Sequence, residues 1–162
     1  MLFNRSWYNR AGVERVMGFC SSEEHQLFLE TVPQFEHMLV RSGITRMKYY
    51  LDIGKHEQKT RLSSRRSCPL TQWKRSAVDD QAIKRSGAYT DARNEMLART
   101  HTPTTPWRVV HADDKRIARV GLITDLLAHV DYAGKDERLV RPDAGTMFAF
   151  DAAHLSNGML AR

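Results

Sequence analysis

Arginine dominates the chemistry available to this chain of 162 residues: 18 of its 25 basic side chains are Arg. The guanidinium is planar, always charged, and grips phosphate or carboxylate through two parallel N–H donors. Arg5 and Arg10 bracket Ser6-Trp7-Tyr8-Asn9, directly after the apolar stub Met1-Leu2-Phe3. A second concentration runs from Lys59 to Arg85, where eight basic residues face only Asp79 and Asp80. That excess of +6 equals the net charge of the whole chain. Such a segment is either a solvated helical face or a surface for a polyanion.

Other chemistries find less support. The seven histidines contain no H-x-x-x-H or H-E-x-x-H pair, and Cys20 and Cys68 stand 48 residues apart without a C-x-x-C partner. Two reduced thiols and no zinc site are expected. No apolar run approaches the ~20 residues of a membrane span. Residues 1–10 have no apolar h-region, so no signal peptide is expected and a cytoplasmic location follows. Nucleic acid is disfavoured as the polyanion, because Trp73 is the one aromatic between Lys59 and Arg85 and no row of stacking rings exists. With 41% apolar and 27% charged residues, the composition is that of a globular domain.

The elements that must position these side chains alternate between strand and helix. Ser21 and Glu24 form a capping box ahead of Leu27, Phe28 and Val32. Pro33 is placed to restart a helix at its first turn, carrying Phe35, Met38 and Leu39 to Gly43. Residues 44–53 read as a strand ending at Gly54, rich in aromatic and β-branched side chains. A polar helix follows over 55–66, broken by Pro69. Asp79 or Asp80 caps a helix reaching Arg99 with Gly87 as its weak point. Residues 107–111 read as a second strand. Asp113-Asp114 read as a helix N-cap rather than a metal site, opening a helix whose Ile117, Val120, Ile123, Leu127 and Val130 recur at 3, 3, 4 and 3. From Ala133 onward no period is sustained, and loop or partial disorder is expected. Strands alternating with helices predict a parallel α/β sheet, with ligands at the carboxyl ends of the strands.

The run Leu2-Phe3-Asn4-Arg5-Ser6-Trp7-Tyr8-Asn9-Arg10-Ala11-Gly12-Val13-Glu14 resembles a signature of the family-2 polyphosphate kinases, P-loop kinases that move a phosphoryl group between inorganic polyphosphate and nucleotides. Arg15 to Cys20, Pro33-Gln34-Phe35-Glu36, Lys48-Tyr49-Tyr50-Leu51, Pro69-Leu70-Thr71-Gln72-Trp73-Lys74 and Ala112-Asp113-Asp114-Lys115 continue the likeness in collinear order to about residue 135. The resemblance implies part of a P-loop kinase-like three-layer parallel sheet, with a helical lid over about 59–99 and an irregular tail over 136–162. It implies Arg5, Asn9 and Arg10 as catalytic residues facing phosphate. Arg61, Lys74 and Arg85 would be the lid cations over polyphosphate and nucleotide, and Asn4 would stand where the family usually has an acidic residue near Mg²⁺. Arg5 and Arg10 have an alternative use as partners of carboxylates such as Glu14. Trp7 and Tyr8 read as packing residues.

The departures are as informative. No G-x-x-x-x-G-K-[ST] occurs: Gly54-Lys55 would need Gly where Tyr49 stands, and Gly134-Lys135 would need it where His129 stands. The backbone cradle for phosphates is therefore missing from the chain. The resemblance covers the C-terminal half of such a kinase. It implies phosphoryl transfer between polyphosphate and ADP or GDP (or from ATP or GTP in reverse), with Mg²⁺. A homo-oligomer or an association with a P-loop half is expected. The alternative is a non-catalytic fragment that binds polyphosphate or assembles with a partner.

Overall fold

Aromatic and β-branched side chains build the centre of the fold. Strand β1 (Lys48–Asp52) and strand β2 (Trp107–His111) run parallel, from Lys48 opposite Trp107 to Asp52 opposite His111. The structure is a computed structural model and describes residues 1–3, 5–74 and 76–161. Ahead of β1 lie the short α1 (Arg15–Met17) and the long α2 (Ser22–Arg41). The crossover from β1 to β2 carries α3 (Lys55–Ser67), α4 (Ala77–Ala82) and α5 (Ser86–Thr100). Helix α6 (Lys115–Ala128) follows β2, and β3 (Met147–Ala149) completes the sheet in the order β1-β2-β3.

Period-2 alternation sorts the strand side chains between two faces. On one, Trp107 and Val109 are buried with Leu29 and Val32 of α2, Met96 and Leu97 of α5, and Tyr8. On the other, Val110 packs with Met147, Tyr49 and α6 residues Ala118 and Leu122. Among the described residues no helix is long and apolar enough to cross a membrane.

The α/β class holds, and several details differ from expectation. Pro33 lies inside α2 rather than opening a helix. One buried stripe, His25, Leu29, Val32 and Glu36, runs through it at helical spacing, and that packing outweighs the one hydrogen bond the proline forfeits. The helix expected from Asp79 or Asp80 to Arg99 is two helices. Ser76 caps α4, and the chain breaks at residues 83–85 before α5. Arg85 there leaves helical geometry and donates to the Val16 carbonyl at 2.6 Å. β1 is shorter than 44–53, and residues 1–3 form no strand.

Two further findings concern the C-terminal third. Asp114 caps α6 as expected, its carboxylate accepting from the Arg116 and Ile117 N–H groups at 2.7 and 3.1 Å. The helix nonetheless presents its apolar stripe outward. Ala118, Gly121 and Asp125 are the buried residues, while Ile117, Val120 and Ile123 are more than half exposed. Polar bonds set this rotation: the Asp125 carboxylate accepts from Tyr49 Oη at 2.6 Å and from Arg108 at 2.7 Å. Residues 133–162 are also not merely loop. β3 pairs antiparallel with β2, Val110 opposite Met147, so the sheet is mixed rather than all-parallel. Val140, Met147, Phe150 and Leu160 are buried. They are too widely spaced to show a period, because each fills a separate gap.

Candidate functional site

The carboxyl end of β1 runs into Gly54 and the first turn of α3. Gly54 is needed there: its N–H donates to Asp113 Oδ1 at 2.7 Å, and a Cβ would stand 3.0 Å from Asp113 Oδ2. The Arg61 guanidinium donates to the Ala112 and Asp113 carbonyls at 2.7 and 2.8 Å and pairs with Glu57 at 2.7 Å. The ends of β1 and β2 are thus tied to each other and to α3.

Beside this tie lies a cavity of about 420 Å³ whose walls include Lys55, Ser86, Thr90, Arg93 and His154. A smaller space of about 140 Å³ shares Lys55, Thr90 and Arg93 and reaches Tyr50, Asp52 and Tyr89. Arg93 stands between them. Its guanidinium meets Asp52 Oδ1 at 3.2 Å and the Ala161 carbonyl at 2.6 Å, and the Ala161 N–H donates to Asp52 Oδ2 at 2.7 Å. The side chains of Arg93 and Asp52 are 8% and 1% exposed, so this ion pair is desolvated and braced from the C-terminal segment. Lys55 is exposed at the start of α3 and makes no ion pair among the described residues. Burial pushes the Tyr50 phenol up to about 12, against the pull of the Arg93 charge.

Arg5 has an unusual backbone. It adopts a left-handed backbone with φ of 67°, which costs a side-chain-bearing residue about 1–2 kcal/mol. Burial raises the Tyr89 pKa, and the charges of Arg5 and Arg85 both act against that rise. Ser6 caps the turn over Trp7–Asn9, and a π-helical turn over Arg10–Glu14 leads into α1. Single π turns recur at functional sites. Trp7 and Tyr8 pack as expected: Tyr8 is buried against Phe28 and Trp107, and Trp7 meets Phe35 edge-on at 5.3 Å.

A buried polar cluster anchors this segment. Glu36 accepts from Tyr8 Oη at 2.7 Å, Lys48 Nζ at 2.8 Å and Thr105 Oγ1 at 2.9 Å, and is also paired with Arg46. Burial alone would raise the Glu36 carboxyl; the hydrogen bonds from Lys48 and Tyr8 outweigh it and hold the pKa below its ordinary value. Burial brings Lys48 down to about 8, opposed by Glu36.

The other residues named from sequence are placed apart. Arg10 is paired with Glu14 at 2.7 Å and meets Glu24 at 3.6 Å. Asn9 is half-buried in its turn. Arg61 braces strand ends rather than standing in the cavity. Asn4 and the side chain of Lys74 lie outside what the structure describes. Arg93, Lys55 and Asp52 do not stand out in the sequence, where the position of Asp52 and Lys55 around the Gly54 strand end is the available signal. Among the described residues no group of three His, Cys, Asp or Glu side chains could hold a metal. Asp52 and Asp113 are taken by Arg93, Ala161 and Gly54, so the described residues do not fit a Mg²⁺ cage.

The NDP-polyphosphate phosphotransferase 2 of Ruegeria pomeroyi is 43% identical over 144 residues, which is 88% of this chain and 42% of that protein. The GDP-polyphosphate phosphotransferase of Mycobacterium tuberculosis is 45% identical over 141 residues, covering 87% of this chain and 48% of its own length. A crystal structure of polyphosphate kinase 2 from Arthrobacter aurescens TC1 superposes with a TM-score of 0.69 at 34% identity, over 84% of this chain and 50% of that one. One from Pseudomonas aeruginosa gives 0.71 at 35%, over 76% and 27%. The chain spans less than half the length of these two curated relatives. The family profile described as polyphosphate kinase 2 matches residues 1–138, and the chain belongs to that family.

Proposed function

We infer that this chain forms the phosphate-gripping part of an enzyme that moves a phosphoryl group between inorganic polyphosphate and a nucleoside diphosphate, ADP or GDP, or in reverse from ATP or GTP. One observation carries it: within a chain whose family match covers residues 1–138, Lys55 and Arg93 line both the β1 strand-end cavity and the smaller space beside it, which Tyr89 also lines. Phosphoryl transfer asks little covalent chemistry of a protein. It asks for in-line positioning and for fixed positive charge at the transferring oxygens. Arg5 and Lys55 make no ion pair among the described residues and are the cations assigned to phosphate here, together with Asn9 and Arg10. Residues 59–99 act as the lid, Arg85 and Lys74 closing over polyphosphate and nucleotide while Arg61 braces the hinge end. The matched relatives' names, ADP-, GDP- and NDP-polyphosphate phosphotransferase, support the substrate class.

The chain alone binds polyphosphate without turning it over. It contains no G-x-x-x-x-G-K-[ST], so turnover needs a P-loop-bearing segment, on the same polypeptide or on a partner, and a homo-oligomer is the other form in which the chain would work. The Mg²⁺ that the family implies finds no carboxylate cage among the described residues.

Titration calorimetry with polyphosphate at two salt concentrations, beside a phosphoryl-transfer assay with ADP and GDP, tests both statements. Binding that weakens steeply with salt, without turnover on the order of 1 s⁻¹, is expected. No binding at low salt, or full affinity in a Lys74→Ala, Arg75→Ala, Arg85→Ala variant, would make the basic segment an ordinary solvated face.

A further inference from the structure

The family match ends at residue 138, yet part of the strand-end cavity is made by residues beyond it. His154, Leu155, Gly158 and Leu160 line it together with Thr90, Asp91 and Asn94 of α5 and with Lys55. These later residues are anchored. The backbone of Ala161 bonds twice to one ion pair, its N–H donating to Asp52 and its carbonyl accepting from Arg93. Leu160 is buried in the core, and the Phe150 N–H donates to the Trp107 carbonyl at 2.9 Å. Between these anchors His154 is held in place. Its Nδ1 accepts from the Asp151 N–H at 3.0 Å, and its ring meets Phe148 edge-on with centroids 4.8 Å apart. An Nδ1 that accepts from a backbone N–H leaves a neutral ring with its proton on Nε2. On α5, Asn94 Oδ1 accepts from Arg93 Nε and Nη2 at 3.1 and 3.0 Å. That fixes the amide and leaves its NH₂ without a partner among the described residues.

The lining selects among phosphate ligands. Inorganic polyphosphate is charged on every unit and asks for cations along its length. This cavity gives one, Lys55, because Arg93 is already paired with Asp52. Asp91 adds an exposed carboxylate that repels an anion. The remaining walls are imidazole, amide, hydroxyl and leucine. They suit a molecule charged at one end and flat, uncharged and polar-edged at the other. The cavity of about 420 Å³ has room for one, since pockets for small organic ligands begin near about 300 Å³. Histidine is among the rings on which bases stack, and a ring fixed in advance loses little freedom on binding.

We propose that residues 151–161 are the nucleoside wall of the strand-end cavity, with His154 and Leu155 against the nucleoside, the Asn94 amide donating to it, and Lys55 meeting the diphosphate. His154 is then a specificity-determining residue that separates a nucleoside diphosphate from an inorganic phosphate chain. This rests on the nucleoside diphosphate reading above and assigns the wall that recognises the nucleoside.

The test is titration calorimetry of the full chain with ADP, GDP and inorganic pyrophosphate, which shares only their charged end. ADP or GDP should bind about tenfold or more tightly than pyrophosphate, the margin that a stacked base supplies. His154→Ala should remove most of that margin and leave pyrophosphate binding in place. In the unsubstituted chain, the His154 ring resonances should shift with ADP or GDP and hold still with pyrophosphate. Equal affinity for the three probes, or ring resonances that ignore the nucleotides, overturns the proposal. So does a His154→Ala chain that loses ADP and pyrophosphate alike, because the wall would then shape the cavity without reading the nucleoside. With a P-loop-bearing segment supplied, ADP binding that depends on His154 but yields no phosphoryl transfer leaves the subsite standing and removes the catalytic reading. Transfer whose KM for ADP is unchanged by His154→Ala removes the subsite alone.

Discussion

Lys48 Nζ lies 2.8 Å from Glu36 Oε2, with both side chains almost wholly buried and the ammonium 4.8 Å from the centre of the Trp107 ring. The same nitrogen donates to the Thr100 carbonyl at 2.7 Å. The first residue of β1, the middle of α2 and the end of α5 therefore meet at one ion pair, and Tyr8 ties the Arg5–Arg10 segment to it.

Removing one partner leaves a buried charge uncompensated. Lys48→Met should lower stability by about 3–5 kcal/mol, whereas the double change Lys48→Met, Glu36→Leu should recover much of the loss. Chemical denaturation of the three proteins checks this. Equal losses in the single and double variants would show that the pair is solvated.

The Glu36 carboxyl titrates below its ordinary 4.5 because Lys48 and Tyr8 hold its charged form against the cost of burial. A native pKa below the unfolded one means that the unfolded chain binds the proton first. This contribution is complete above about pH 4.5 and is lost as pH falls through the native value. A carboxyl carbon NMR titration should place the Glu36 midpoint below that of exposed Glu30, with the melting temperature falling across the same interval.

Gly54→Ala should cost about 1–3 kcal/mol. The new Cβ would press on the Asp113 carboxylate, which must swing away and release the Gly54 N–H. Asp113→Ala frees the space but loses the same bond, so Gly54→Ala should add little on top of it. Full additivity in the double variant would show that the two groups do not press on each other.

Local signals make much of this fold legible in advance. The capping box at Ser21, the strand Trp107–His111 and the Asp114 cap are each decided within a few residues, so period and cap chemistry suffice. The α6 stripe is legible as a stripe, but its direction is not. Asp125 bonds to Tyr49 and Arg108 from far along the chain and sets the rotation. The tail is illegible for a related reason, since Leu160 joins a core built from residues as distant as Tyr8 and Ala11. Leu160→Ala should therefore cost about 2–5 kcal/mol, as for any buried leucine. A loss below about 1 kcal/mol in denaturant titrations would return the tail to the status of a surface loop. At the site, arginine content points to anion binding, but Arg93 is exceptional through its burial, which no local pattern carries.

Arg5 and Arg10 look equivalent in the sequence and are unequal in the structure. Arg10 already commits its charge to Glu14 and Glu24, and its side chain is about a third exposed. Arg5 makes no ion pair among the described residues and is held in a left-handed backbone, and its charge, like that of Arg85, acts on the Tyr89 hydroxyl. A polyphosphate chain at the strand ends would meet Arg5 without displacing a carboxylate. Arg5→Ala should then weaken polyphosphate binding by the chain more than Arg10→Ala does. It should also flatten the slope of log affinity against log salt by about 0.7–0.9 for each phosphate that is no longer neutralised. Arg5→Gly separates the two features, since glycine accepts the backbone angle but removes the charge. It should bind as weakly as Arg5→Ala while being the more stable of the two. In the reconstituted enzyme Arg5→Ala should lower kcat more than nucleotide affinity, because fixed charge matters most where charge develops in the transition state. Equal polyphosphate affinity for the Arg5→Ala and Arg10→Ala chains would mean that the ion pairs of Arg10 open freely and that the structural difference between the two arginines has no bearing on phosphate.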